Sequence, residues 1–457
     1  MAPCSDPAAD VADVIVVNTC SVTAEADRAA RAFIRRAHRA NPEAQIVATG
    51  CYAQRAPGEL VGLEGVAAVI GNSHKALVPE IILDMAGAGR SIANPAVVNS
   101  ELVPVGTLLA RRTGPEAPLV LADDSFAHSF LEDAQVTPGA QTRPNLKIQE
   151  GCGNRCSFCV IPWTRGSSRS LRSAAVLRRV EGFVAAGGVE LVFSGINLGR
   201  WGQDFSSGLE EPSTLTALVR RILAQTLLPR LRLSSIEPMD WDAELIGLMA
   251  EFGGRRVARH AHLPLQSGSD AVLRRMHRRY RPWHYTAKVE ALLHAAGPEL
   301  TIGADVMAGF PGETDAEFEE TLAFIKALPF GYLHLFPFSP RPATRAWALH
   351  AANPVAAPVV DERMAQLRAL ANEKMRAHRL QFVGCELEAL TLHTPDAMAR
   401  GGQTAALTEN FLPIAIGGHR GANESVRVRI TGVDGEKNLE AVCVTANKAI
   451  AHAFAAN

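Results

Sequence analysis

Gly151-Cys152-Gly153-Asn154-Arg155-Cys156-Ser157-Phe158-Cys159 places three cysteines within eight residues, spaced C-x3-C-x2-C, directly after the polar run Lys147 to Glu150. Three thiols this close cannot all pair with one another. One turning loop with this spacing can aim three sulfurs at a common centre, which is how an iron–sulfur cluster is held. A structural zinc site would want a fourth Cys or His at similar range. The nearest upstream histidine is His128, and no other cysteine is close. Three incidental buried cysteines are the remaining alternative, although Cys rarely clusters without a ligand role. Three protein ligands on a four-iron cluster leave one iron open, and the loop is expected to be where chemistry happens.

Around this loop, strand and helix patterns alternate. A short strand at Leu146–Gln149 leads into it, and a helix at Ser173–Ala186 and the strand Glu190–Ser194 follow. Next come a Gly-rich loop to Gly208, helix Leu215–Ala224, strand Arg230–Ser234 and a helix near Ala243–Phe252. Ala261–Gly268, the helical stretches Ala271–Arg278 and Trp283–Ala296, strand Thr301–Ala308, helix Asp315–Ala327 and strand Tyr332–Phe336 complete the series. About six strand–helix repeats are too few for an eight-fold barrel and right for an open partial one. Polar residues gather after the strands: Cys152, Asn197, Ser235, Glu237, Gln266, Ser267 and Asp305, with Glu190 near a strand start. Such barrels carry active sites at the carboxyl ends of their strands.

Upstream, Val14–Asn18 and Gln45–Thr49 are β-branched runs of the kind buried in parallel sheets, separated by a helix at Thr23–Ala40. With Val66–Ile70 and a helix at Ala76–Met85 they predict a doubly wound α/β domain over residues 1–93. Cys20 and Cys51 each fall directly after a strand, one βα unit apart, so they share a sheet edge and could belong to one site; two unrelated core residues are the alternative. Residues 94–143 lack clear periodicity and read as a linker with one or two strands. Glu362–Phe382 reads as an amphipathic connector helix. Cys385–Thr391, Thr404–Ile416, Ser425–Val433 and Leu439–Thr445 then predict a small β-barrel over 383–450, a shell that often binds RNA.

The totals agree with a multidomain globular chain: 457 residues, 47% hydrophobic, 20% charged. A net charge of −1 gives no global basic field, so a nucleic-acid partner must rely on a local patch. The densest basic run is Arg274, Arg275, Arg278, Arg279 and Arg281; a solvated helix face is its ordinary explanation, phosphate contact the functional one. No apolar run is long enough to span a membrane, and no signal peptide is apparent, so a cytoplasmic location is expected. In such a chain eight cysteines point to metal binding before disulfides.

The cysteine loop resembles that of the radical S-adenosylmethionine (SAM) enzymes. Ile161-Pro-Trp-Thr-Arg-Gly166 with Arg169-Ser170, Ser234-Ser-Ile-Glu-Pro238, His262-Leu-Pro-Leu-Gln-Ser-Gly-Ser269 and Gly309-Phe-Pro-Gly-Glu-Thr314 are similar to the successive motifs of the methylthiotransferases. Asn18-Thr-Cys20 and Thr49-Gly-Cys-Tyr-Ala-Gln54 resemble that family's N-terminal domain, and the C-terminal barrel resembles its TRAM domain. The resemblance therefore implies an N-terminal α/β domain, a partial (β/α)6 radical SAM barrel over 144–382, and TRAM. Within the family, Lys147–Cys152 and Asn18–Thr23 are most similar to the branch that acts on threonylcarbamoyl-adenosine at position 37 of tRNA. The isopentenyl-adenosine branch, the ribosomal-protein branch and an RNA-binding homologue with lapsed catalysis are the alternatives.

The resemblance implies a [4Fe–4S] cluster on Cys152, Cys156 and Cys159 whose open iron chelates SAM and yields a 5′-deoxyadenosyl radical on reduction. It implies a second [4Fe–4S] cluster, with Cys20 and Cys51 among its ligands, carrying the sulfur that ends on C2 of adenine. Contacts to SAM or substrate are expected from Glu190, Asn197, Ser235, Glu237, Gln266, Ser267, Asp305 and Gly309, and contacts to RNA from Arg274, Arg275, Arg278 and Arg279. His260 and His262 are expected as hydrogen-bonded barrel residues rather than ligands. A tRNA anticodon loop and an electron donor such as flavodoxin or ferredoxin are the expected partners. The family's third auxiliary-cluster cysteine sits on a strand and helix before Asn18 that have no counterpart here, and Cys4 is too close to Cys20 to replace it. An incomplete second cluster is accordingly expected.

Overall fold

The computed structural model describes residues 12–85, 117–126, 141–205, 212–434 and 438–445. Cys4 and His128 lie outside these residues. The chain forms two compact units, and among the described residues the first comprises 12–85, 117–126, 151–167 and 339–347.

The first unit is built on a parallel sheet in the order β1 (Val14–Thr19), β2 (Gln45–Gly50), β3 (Val66–Gly71) and β4 (Leu119–Leu121). Because alternate residues of a strand face opposite ways, Ile46 and Ala48 pack with Ile34 and Ala37 of the helix Ala24–Ala40. Val47 and Ala68 pack on the other face with Leu77 and Ile81. Thr23 caps that helix, its hydroxyl accepting from Ala26 N–H. Residues 119–121, inside the stretch read as a linker with one or two strands, form a strand that pairs with β3 in this sheet. Three residues are too few to display a two-residue period.

The second unit holds six parallel strands: β5 (Asn145–Glu150), β7 (Glu190–Gly195) and β8 (Arg230–Leu233), then β9 (His260–His262), β10 (Thr301–Ala308) and β11 (Phe330–Pro337). The two-residue β6 (Arg169–Ser170) runs antiparallel beside β5, and Leu231 bridges Val257 between the two groups of strands. This is the open six-fold barrel expected. Leu191, Phe193, Leu231, Leu233, Ile302, Ala304 and Val306 pack into the core shared with the helices. Their alternates, including Glu190, Arg232, Asp305, Tyr332 and His334, consequently face the inside.

The C-terminal strands close a five-stranded barrel in the order β12 (Glu386–Thr391), β13 (Gln403–Thr408), β14 (Pro413–Gly417), β16 (Asn438–Thr445), β15 (Ser425–Asp434). The stretch Thr404–Ile416, expected as strand throughout, is a hairpin that turns at Glu409–Leu412. Phe411 makes the turn in the left-handed region (φ 71°), and the Asn410 side chain fixes it by accepting from Thr408 Oγ1 and donating to Glu299 O. The tip seats at the amino ends of β8, β9 and β10, touching Arg232, Arg259 and Glu299. Glu409 takes Arg259 by its backbone N–H and guanidinium, and Phe411 lies 4.3 Å from His260, ring centre to ring centre.

Candidate functional site

Gly151 follows β5 with φ +72°, where a Cβ would stand 2.0 Å from Ser167 O. Only glycine lets the two ends of the loop meet this closely. Cys152 N–H donates to Gly166 O at 3.1 Å and closes it. Within the loop Cys159 N–H donates to Cys156 O, Asn154 N–H lies 3.4 Å from Cys152 Sγ, and all three cysteines are half-buried. A backbone N–H on a ligand sulfur, as Asn154 offers Cys152, is one of the contacts that tune an iron–sulfur cluster. Among the described residues, the one group of three His, Cys, Asp or Glu ligand atoms within 4.8 Å of one another lies elsewhere. The three sulfurs therefore do not all lie within 4.8 Å of one another, whereas a single zinc would draw them to about 3.8 Å for Zn–S near 2.3 Å. The loop fits a cluster.

In the same unit, β1 and β2 pair with Thr19 opposite Gly50, so Cys20 and Cys51 leave adjacent strand ends at one level. This is the shared edge expected from the spacing. Cys20 is exposed and Cys51 buried. Cys51 Sγ accepts from Arg165 Nε at 3.0 Å and from Asn72 Nδ2 at 3.5 Å, and Asn72 also donates to Thr164 O at 2.7 Å. Neither Arg165 nor Asn72 was singled out from the sequence. Asn72 had a signal, since it follows β3 as Cys51 follows β2.

Inside the six-stranded barrel, Asp305 Oδ1 lies 3.2 Å from His262 Nε2 and 3.3 Å from His334 Nδ1. Tyr332 Oη joins His262 Nδ1 at 2.9 Å to His260 Nε2 at 2.8 Å. Burial pushes the Asp305 carboxyl up, but the two imidazoles outweigh it and hold it well below the usual carboxylate range. Burial, with Arg232 and His262 adding, pushes His260 well below the usual imidazole value and keeps it neutral. Gln266 has φ +64°, donates its N–H to Asp305 O and accepts from Met307 N–H, an extra bridge past the end of β9. Non-glycine residues hold such backbone only where the surroundings enforce it. Asn197 N–H donates to the side chain of the buried Gln149 at 2.7 Å, and Ser235 is half-buried beyond β8.

The Radical SAM superfamily model matches residues 146–325, and the Uncharacterized protein family UPF0004 model matches residues 4–71. A protein named threonylcarbamoyladenosine tRNA methylthiotransferase MtaB from Aquifex aeolicus (strain VF5) is 34% identical, over 92% of each chain. Its namesake from Bacillus subtilis (strain 168) is 34% identical over 89% of this chain and 82% of its own. A tRNA-2-methylthio-N(6)-dimethylallyladenosine synthase from Novosphingobium aromaticivorans is 31% identical over 83% and 78%. The chain belongs to the radical SAM methylthiotransferase family. In this methylthiotransferase Cys152, Cys156 and Cys159 would hold the [4Fe–4S] cluster that, with SAM, supplies the radical chemistry.

Several expected contacts of the methylthiotransferase are otherwise engaged. Glu190 opens β7, at the amino end of that strand, and is fully buried. Arg232 Nε donates to it at 2.7 Å, with Arg230 and Arg143 at 3.5 and 3.6 Å, so its carboxylate is held in a buried ion-pair cluster. Ser267 is fully buried, bonded to Thr321 Oγ1 and accepting from Ser269 N–H ahead of the helix Asp270–Arg275. Gly309 (φ +77°) donates its N–H to Glu313, and a Cβ there would meet Val360 at 2.5 Å, so turn geometry accounts for it. Glu237 accepts from Arg278 at 2.5 Å. The arginine run is likewise spent on ion pairs: Arg274 with Asp270, Arg275 with Glu317, Arg279 with Asp240, and buried Arg278 with Glu237. Arg274 and Arg279 keep exposed guanidiniums in these pairs, whereas Arg278 is buried.

Proposed function

We propose that this methylthiotransferase adds a methylthio group to C2 of N6-threonylcarbamoyladenosine at position 37 of tRNA, reading the anticodon loop and drawing electrons from a flavodoxin- or ferredoxin-like donor. The observation that carries the reading is the 34% identity over 92% of both chains to a protein named for that activity. Adenine C2 has no acidic proton, so acid–base catalysis alone does not reach it, and a radical answers that need. Cys20 and Cys51, side by side beyond β1 and β2, would hold the auxiliary [4Fe–4S] cluster as the sulfur-bearing centre. The chain's own residues would orient and enclose. Gly151 and Gly166 close the cysteine loop, and Asp305 with its two imidazoles lines the barrel interior beside Gln266.

Mass spectrometry of nucleosides from a deletion strain tests this. Disappearance of 2-methylthio-threonylcarbamoyl-adenosine, restored by the wild-type gene and not by a Cys152→Ala variant, is the expected result. The 31% identity to a dimethylallyladenosine synthase favours a second reading. Loss of the methylthio form of dimethylallyladenosine instead would establish it, and unchanged tRNA would defeat both.

A further inference from the structure

The bond between Arg165 and Cys51 joins two motifs 114 residues apart. We infer that Arg165 is a positioning residue for the second iron–sulfur centre: its guanidinium holds and electrostatically tunes the Cys51 sulfur. The inference rests on the reading of Cys51 as a ligand of that centre.

Cys51 begins the short helix Cys51–Arg55 directly after Gly50, which takes φ +100° to turn the chain off β2. Its buried sulfur meets two N–H donors from different elements, Arg165 Nε at 3.0 Å and Asn72 Nδ2 at 3.5 Å. Guanidinium has no acceptor and keeps its charge, so toward the buried sulfur it can only act as a cationic N–H donor. Arg165 ends the helix Ile161–Arg165 that follows Cys159, and Asn72 grips Thr164 O beside it. The same two residues therefore fix the end of the SAM-cluster loop on the edge that carries Cys51. A cationic N–H donor on a ligand sulfur stabilises the electron-richer reduced cluster and raises its potential. A residue that merely fastened the loop would leave the potential where it was.

The test uses the full chain with Cys152→Ala, Cys156→Ala and Cys159→Ala, so that only the second centre remains. After anaerobic reconstitution, iron per chain, the electron paramagnetic resonance spectrum of the reduced protein and the midpoint potential are compared with and without R165M. The expected result is retained fold, a more negative potential and altered g-values, with R165K part-way back. If R165M does not fold, R165Q, polar but uncharged, replaces it. An unmoved potential and spectrum overturn the inference. C51S on the same background separates the two ideas: iron unaffected by C51S defeats the ligand reading itself. Iron lost in C51S while R165M stays silent defeats only the role of Arg165. A background that holds no iron defeats both.

Discussion

Arg232 Nε donates to Glu190 Oε1 across 2.7 Å at the amino end of the barrel, where both side chains are buried. The same Arg232 donates to Glu409 O of the hairpin tip at 3.0 Å, and its guanidinium lies over the Phe411 ring at 5.2 Å. One buried carboxylate thus balances Arg232, Arg230 and Arg143 at the place where the C-terminal barrel seats. Removing one partner of such a cluster leaves uncompensated buried charge, which costs about 3–5 kcal/mol. Glu190→Gln is expected to lower stability by that order in urea unfolding. A loss under about 1 kcal/mol would show the cluster to be hydrated or dispensable.

The same carboxylate sets a pH dependence. Burial pushes Glu190 up, but Arg232 foremost among the three guanidiniums pulls it further down, so it titrates below the ordinary range. With the folded value depressed, its stabilisation is complete above the unfolded value, about 4.3, and is lost as pH falls through the folded one. Glu190→Gln should flatten the acid limb of the stability curve; a variant as acid-sensitive as the wild type would contradict this.

Arg278 and Arg274 separate a buried ion pair from an exposed one. Arg278 is 5% exposed against Glu237, whereas Arg274 is 61% exposed against Asp270. Arg278→Ala is expected to cost about 3 kcal/mol of stability, and Arg274→Ala less than about 0.5. Arg278→Ala should leave the slope of tRNA affinity against salt concentration unchanged, because that guanidinium is buried against Glu237. A shallower slope in the folded Arg274 variant would support the phosphate-contact reading.

The six-fold barrel was legible in the sequence because each buried strand is a short apolar run between helical stretches, as at Glu190–Ser194. The cysteine loop stood out because its three cysteines lie in one local segment. What could not be read was pairing across distance. Glu190 and Arg232 look like ordinary strand charges until alternation turns both inward, and the arginine run looks basic until Asp240, Glu237 and Glu317 fold onto it. Thr404–Ile416 concealed its hairpin because Phe411 is not a residue expected at a left-handed position.

His378, on the helix Ala357–Leu380, is bonded through Nε2 to Thr301 Oγ1 at 2.9 Å. Burial, with Arg379 adding, pushes it down to about 4. The unfolded chain takes up this proton near pH 6.5, and the folded chain does not until about pH 4. Stability therefore falls across that window, by up to about 3 kcal/mol in all and roughly 2 between pH 7 and pH 5. His378→Gln, which can still bond Thr301, should lose much less over that interval in urea titrations. Equal losses in the two proteins would refute the assignment.

Asp305 carries the last prediction, because two imidazoles meet its carboxylate inside the barrel. Its carboxylate can only accept, so His262 Nε2 and His334 Nδ1 must both be N–H donors. Tyr332 Oη stands between His262 Nδ1 at 2.9 Å and His260 Nε2 at 2.8 Å, extending the contacts of Asp305 to a second pair of side chains. These contacts run from the exposed His334 to the buried His260. Asp305→Asn keeps the shape while removing the charge, and its amide N–H₂ would face an imidazole N–H. Methylthio product is expected to fall on the order of 10²-fold, while iron content and thermal stability stay near wild type. The ratio of 5′-deoxyadenosine to product should rise, because the radical would still form while its target is less well placed. A fully active Asp305→Asn enzyme would mean that this network braces the barrel and takes no part in holding what reacts inside it.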